Sequence, residues 1–222
     1  MAIAYEQARY NMVQQQIRPW QVTEERVLAV LSEMPRERFV PEAYRALAYA
    51  DLRIPLGQDA YMLEPRLIAH LLQALSLTPR DRVLEIGTGS GYGTACLARL
   101  SARVVSLEID AQRAEQARSN LAEEPKHRWE VRTEDGLAGS VRGQPFDAIA
   151  LTGSLPDERL LPALQEQLVP GGRLFAVLGK GPAMEAVRIL RTESGTFQRQ
   201  LLFETEVAPL HIDLPVEEAF AF

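Results

Sequence analysis

The sequence predicts a doubly wound α/β fold: a mostly parallel sheet with helices on both faces, a helical N-terminal extension, and antiparallel strands at the C-terminal end. Three observations predict it. From Arg82 onward, short apolar runs alternate with helical patterns, the order expected of a parallel sheet covered on both sides. Runs such as Ala148-Ile149-Ala150-Leu151 are apolar at every position instead of every second one, as for strands buried on both faces. The first run passes through Val83-Leu84-Glu85-Ile86 into Gly87-Thr88-Gly89-Ser90-Gly91-Tyr92. Glycine has no Cβ, so the chain can turn sharply at a strand's carboxyl end and a ligand can approach the main chain.

Residues 5 to 17 carry Tyr5, Ala8, Met12, Val13 and Ile17, a loose helical stripe that ends at Arg18-Pro19, because proline disfavours a helical residue before it. Thr23 is placed as the cap of a second helix, with Glu24 and Glu25 in its first turn, Val27, Leu28, Val30 and Leu31 on its apolar face, and Pro35 closing it. Phe39-Val40-Pro41 and the segment Tyr44 to Asp51 lead to Ile54-Pro55-Leu56-Gly57. Pro65 suits the first turn of a third helix carrying Leu67, Ile68, Leu71, Leu72 and Leu75 at helical spacing. Residues 1–80 are therefore read as an extension, and 81–222 as the main domain of one unit.

In that domain strands are expected at 82–86, 103–108, 128–132, 146–151 and 172–178, with helices at about 91–101, 111–122 and 158–168. A final pair of strands is expected near 184–192 and 199–208. The tail from Leu210 to Phe222, with Leu214-Pro215-Val216 and two terminal phenylalanines, is expected to pack on the sheet or on a partner.

At 222 residues the chain can bury a real core, and 46% hydrophobic with 24% charged residues argues against disorder. A formal net charge of -6 argues against a nucleic-acid partner, since phosphate-backbone binders present a basic face. The lone Cys96, among Ala95, Leu97 and Ala98, is expected to pack as a small hydrophobe; with no second cysteine there is no intrachain disulfide. Met1 to Arg18 is polar and glutamine-rich, and no run approaches the length of a membrane span. A cytoplasmic protein with no membrane partner is expected. His70, His127 and His211 stand isolated, so no metal is predicted.

The glycine spacing bears on which ligand the turn would take. A nicotinamide fingerprint, Gly-x-Gly-x-x-Gly/Ala, wants a small residue where Tyr92 stands. Glu85, ahead of the glycines, would repel a pyrophosphate but suits the amino group or sulfonium charge of S-adenosylmethionine. A tight turn with no ligand is the plain alternative. Glu108 follows Val104-Val105-Ser106-Leu107 and lies 17 residues beyond Gly91, where a carboxylate can accept from both ribose hydroxyls; its alternative is a strand-end charge facing solvent. Asp135, after Trp129-Glu130-Val131-Arg132, can accept from an adenine amino group while Gly136 permits the turn; a simple Asp-Gly turn competes. Asp147 at a strand entry and the Pro170-Gly171-Gly172 turn read as structural.

Glu85 to Tyr92, Glu108, Asp135-Gly136, Phe146-Asp147 and Pro170-Gly171-Gly172-Arg173-Leu174 resemble the successive motifs of the class I methyltransferases. Met12 to Arg18, Arg26-Val27-Leu28, Pro35-Arg36, Phe39-Val40-Pro41, Ala48-Tyr49-Ala50-Asp51 and Pro55-Leu56-Gly57 resemble the leader of the protein-L-isoaspartate O-methyltransferases. The resemblance spans about residues 12 to 180. It implies S-adenosylmethionine as donor, S-adenosylhomocysteine as product, and a damaged protein or peptide as acceptor, with the leader covering the substrate side. Its cofactor positions carry over to Glu85, Gly87, Thr88, Gly89, Ser90, Gly91, Glu108, Asp135 and Gly136.

One segment departs. The family runs Gln-Thr-Ile-Ser-Gln-Pro where this chain has Ala60-Tyr61-Met62-Leu63-Glu64-Pro65. Tyr61, Met62 and Leu63 are thus the substrate-side candidates, and Leu63 occupies the family's serine position, so no catalytic residue is assigned. An acceptor carboxylate is ionised at neutral pH and needs no general base; alignment and water exclusion are what the protein must supply. A relative with a different acceptor, and a donor-binding sensor or scaffold with little turnover, are the alternatives. A nicotinamide enzyme is weakened by Glu85 and Tyr92.

Overall fold

A computed structural model describes residues 2–155 and 157–211. The first helix, α1 (Ala2–Asn11), continues through a wider π-helical segment, Met12–Ile17, and a short 3-10 turn at Arg18–Trp20. Helix α2 (Glu25–Glu33) follows, and α3 (Pro65–Leu75) buries Leu67, Ile68, Leu71, Leu72 and Leu75. Thr23 does not cap α2. Glu24 holds the N-cap position without a side-chain bond, and the main-chain N–H groups of Thr23 and Glu24 donate instead to Gln73 Oε1 of α3, at 2.7 and 3.1 Å. The cap is supplied by a neighbouring helix, a tertiary contact that local sequence does not signal.

Between α2 and α3 the extension is not wholly helical. Ile54–Gly57 (β1) and Ala60–Met62 (β2) form an antiparallel hairpin, with Ile54 opposite Met62 and Pro55 opposite Tyr61. The turn residues Gln58 and Asp59 both have positive φ, +48° and +59°, which matches the handedness of tight hairpins. Pro55 inside the run and the absence of an Asn-Gly signal hid this element from the pattern.

The main sheet contains β3 (Arg82–Ile86), β4 (Arg103–Glu108), β5 (Trp129–Thr133), β6 (Phe146–Leu155), β7 (Leu168–Leu178), β8 (Met184–Arg191) and β9 (Phe197–Thr205), in the order β5-β4-β3-β6-β7-β8-β9. The first five in that order run parallel; β8 and β9 are antiparallel to their preceding neighbours. Helices α4 (Tyr92–Leu100), α5 (Ala111–Asn120) and α6 (Leu161–Gln165) connect the strands. The expected helix over 158–168 is reduced to a 3-10 turn at Glu158–Leu160 and the five-residue α6, and β7 starts earlier than expected, at Leu168.

Residue alternation divides the core. Val83, Ala148 and Ala150 join the leader, α3 and α4 in one buried cluster, while Leu84, Ile86, Ile149 and Leu151 join Leu161, Leu164 and Leu174 in the other. Neighbouring residues on a strand point to opposite faces, so continuous apolar runs serve two layers at once. Cys96 is fully buried, and burial pushes its thiol up to about 12. His70 is half-buried on α3 with its ring 4.6 Å from that of Phe203. Among the described residues no helix is long and apolar enough to cross a membrane. The tail residues Leu214, Pro215, Val216, Phe220 and Phe222 lie outside the described residues.

Candidate active site

The chain reverses its direction of growth across the sheet between β3 and β6, whose carboxyl ends frame a crevice of the kind where such sheets bind ligands. A cleft opens there, at the switch point where such sheets take small molecules. Gly87, Gly89, Glu108, Asp135 and Gly136 line it from the sheet, and Tyr61 and Leu63 line it from the hairpin. A small cavity shares Tyr61, Leu63, Gly87, Gly89 and Thr152 with this cleft and adds Met62, Glu85, Thr88 and Ser90. Gly91 lines neither. It caps α4 at φ +86°, and a Cβ there would press Leu121 at 3.2 Å, so it serves the packing of α4 against α5.

Glu108 is 4% exposed and does not face solvent. Its Oε2 accepts from the Gly89 N–H at 2.9 Å, and its Oε1 accepts from Asp110 N and Arg113 Nε, each at 3.2 Å. The carboxylate at the end of β4 therefore fixes the glycine turn at the end of β3. Asp135 Oδ1 accepts from Leu137 N at 2.9 Å, which shapes the turn after β5. Leu107, Ile109 and Leu137 make that end of the cleft an apolar slot rimmed by carboxylates.

Glu85 is fully buried. Oε2 accepts from Thr94 Oγ1 at 2.5 Å and Ser106 Oγ at 2.6 Å, while Oε1 has no partner. Burial raises its pKa to about 7, with the Glu108 charge adding to the rise and the Ser106 and Thr94 hydroxyls opposing it. The native form thus holds its proton more tightly than the unfolded chain. Stability should be greatest below the ordinary carboxyl value of 4.5 and should fall as pH rises toward about 7. We expect the unfolding free energy of wild type relative to Glu85→Gln to drop by up to about 3 kcal/mol across that window. Urea titrations of both ligand-free proteins from pH 5 to 8 measure it; a pH-independent difference would refute it.

On the hairpin side Leu63 is 6% exposed and Tyr61 is 41% exposed. The Leu63 carbonyl accepts from Arg36 Nη2 at 2.8 Å, and Arg36 Nε donates to the Ala48 carbonyl, also at 2.8 Å. Arg36 is wholly buried, with its guanidinium carbon 4.7 Å from the Tyr92 ring centre, and burial lowers its pKa. The hairpin wall of the cleft is therefore pinned from behind.

Several lining residues escaped the sequence reading. Thr152 and Gly153 follow Ala148 to Leu151 directly, so inspection of what comes after each apolar run finds them by the rule that found Glu108. Arg113 and Arg53 also line the cleft. Leu210 arrives from the far end of the chain, its N–H donating to the Ser154 carbonyl at 2.9 Å, and nothing local announces it.

Comparison with known proteins gives a consistent picture. The family model described as protein-L-isoaspartate(D-aspartate) O-methyltransferase matches residues 7–212. A protein-L-isoaspartate O-methyltransferase of Gloeobacter violaceus is 37% identical over 93% of this chain and 100% of its own length. One from Opitutus terrae is 38% identical over 96% of this chain and 92% of its own. Among solved structures, a Plasmodium falciparum chain described as a beta-aspartate methyltransferase, crystallised with S-adenosyl-L-homocysteine, superposes with a TM-score of 0.78 at 18% identity, covering 93% of this chain and 98% of its own. At that identity the likeness speaks for the fold.

Proposed function

The chain belongs to the protein-L-isoaspartate(D-aspartate) O-methyltransferase family, and from that premise we propose that it methylates the carboxylate of L-isoaspartyl residues in damaged proteins or peptides, with S-adenosylmethionine as donor. The observation that carries the reading is a single cleft in which the glycine turn, Glu108 and Asp135-Gly136 meet the hairpin residues Tyr61 and Leu63. The residues fit a nucleoside with a cationic amino-acid arm. Glu108 would accept from ribose hydroxyls, Asp135 would accept from the adenine amino group in the slot of Leu107, Ile109 and Leu137, and the main chain of Gly87 to Ser90 would meet the arm. The unpartnered Glu85 Oε1 is a buried acceptor that a positive charge would satisfy. When bound, the donor supplies an electrophilic methyl group on sulfonium.

In this reading residues 1–80 form the substrate-side cap over a donor-binding domain of residues 81–222, working in the cytoplasm. Tyr61, Met62 and Leu63 form the acceptor wall, and the chain contributes alignment and exclusion of water. Calorimetry with S-adenosylhomocysteine, together with methyl transfer to an isoaspartyl peptide and to its aspartyl isomer, tests it. Binding without transfer to the isoaspartyl peptide would favour the sensor or scaffold reading, which the buried, hydroxyl-free Leu63 invites.

Turnover is expected to be slow because Leu63 offers no hydrogen bond. Tyr61→Thr with Leu63→Ser should raise it roughly tenfold, the return of one orienting bond of about 1.4 kcal/mol. Since Arg36 holds the main chain at position 63, the new hydroxyl would sit on an unmoved backbone. Steady-state assays at matched cofactor affinity measure the gain. A folded double mutant with no gain counts against this account of the segment.

A further inference from the structure

The lost hydroxyls raise the question of what receives the acceptor's charge. The antiparallel register pairs Ile54 with Met62 and Pro55 with Tyr61, so its continuation by one residue sets Arg53 opposite Leu63. Residues directly opposite in an antiparallel pair project to the same side, and both of these line the cleft. The other lining arginine, Arg113, is held by Glu108 at 3.2 Å and Asp110 at 3.7 Å. Arg53 is paired only loosely: Glu64 stands 3.6 Å from its Nε, with the arginine side chain 40% exposed. Asp59, on the same hairpin, would repel a carboxylate.

We infer that Arg53 is the acceptor-binding cation of this chain, receiving the substrate carboxylate beside the position where the hydroxyl is missing. This rests on the function proposed above. In the transfer, a carboxylate oxygen forms the new O–C bond while the S–C bond breaks and its electron pair stays on sulfur. The acceptor changes from an anion to a neutral ester. A cation beside it therefore holds the ground state more firmly than the transition state, and its loss should appear in KM more than in kcat.

The test uses the full chain with S-adenosylhomocysteine bound, and measures affinity for an isoaspartyl peptide and for the same peptide carrying the methyl ester. Arg53→Ala should weaken the carboxylate peptide by about tenfold, the scale of a charge-assisted hydrogen bond, and leave the ester unchanged. Arg53→Lys should recover part of the loss, and affinity for S-adenosylhomocysteine should be the same in all three proteins. In turnover, Arg53→Ala should raise KM by about tenfold with kcat within about twofold. Unchanged affinity for the carboxylate peptide, equal loss for the ester, or a wild type that does not distinguish the two peptides would each overturn the assignment. A wild type that binds the carboxylate peptide selectively but does not turn it over would overturn the methyltransferase reading and leave the Arg53 assignment standing.

Discussion

Gly87→Ala is expected to destabilise the protein by about 2 to 5 kcal/mol and to abolish measurable binding of S-adenosylhomocysteine. Gly87 has φ +96°, a conformation that costs a residue with a Cβ about 1 to 2 kcal/mol. The added carbon would also fall inside contact distance of Thr152 Oγ1 and lie 2.9 Å from Leu210 Cδ2, an overpacking worth about 1 to 3 kcal/mol. Thr152 has little room to retreat, because its hydroxyl donates to the carbonyls of Ile86 and Gly87. Adding Thr152→Ala should relieve the Thr152 share of the crowding and leave the Leu210 contact and the conformational cost, so urea denaturation of both single mutants and the double mutant measures that share. Gly89 is roomier: a Cβ there meets only Leu56 Cδ1, at 3.3 Å. Its φ of +56° nevertheless strains any side chain, a β-branched one most, so Gly89→Val should lower stability as well as ligand binding. A Gly87→Ala protein with wild-type stability and affinity would remove this turn from the account of both.

Glu108→Ala should weaken binding of S-adenosylmethionine and S-adenosylhomocysteine by about 2 to 5 kcal/mol, more than the loss of ribose hydrogen bonds alone, which is about 1 to 3 kcal/mol. The larger figure follows from the bonds to Gly89 N, Asp110 N and Arg113. Truncation frees the glycine turn and leaves the guanidinium of Arg113, 13% exposed, with only Asp110 at 3.7 Å. Glu108→Gln keeps an oxygen for Gly89 and loses the charge, and its affinity should fall between those of wild type and Glu108→Ala. Calorimetry on the three proteins, with melting temperatures alongside, measures this; equal affinities across the series would take Glu108 out of the site.

Much of the architecture was legible because its signals are local. The run from Ala148 to Leu151 is uninterrupted and that from Val83 to Ile86 is broken only by Glu85, and alternate residues feed the two buried clusters, so the pattern identifies strands covered on both faces. The cleft positions at Gly87, Gly89, Glu108 and Asp135-Gly136 were reachable because each follows a stretch that reads as a strand. What escaped depends on contacts across the chain. Gln73 caps α2 from 49 residues away, the Gln58-Asp59 turn adopts positive φ without glycine, and Leu210 lines the cleft from beyond the last strand. Arg36 stood in the sequence as part of a leader motif, and nothing local showed that its guanidinium would be wholly buried.

That buried guanidinium separates two things that many binding sites merge. Arg36 grips the carbonyls of Ala48 and Leu63, so the path of the hairpin wall is held by main-chain atoms and does not depend on the exposed side chain of Tyr61. The exposed Tyr61 can then be exchanged as a fitting on a fixed mount, while Leu63, packed in the core, admits side chains close to its own volume. If the proposed acceptor wall is right, acceptor preference is open to redesign at Tyr61 without a matching revision of the scaffold. A library randomised at Tyr61 should therefore retain a high fraction of folded members, whereas the same library built on Arg36→Met should not.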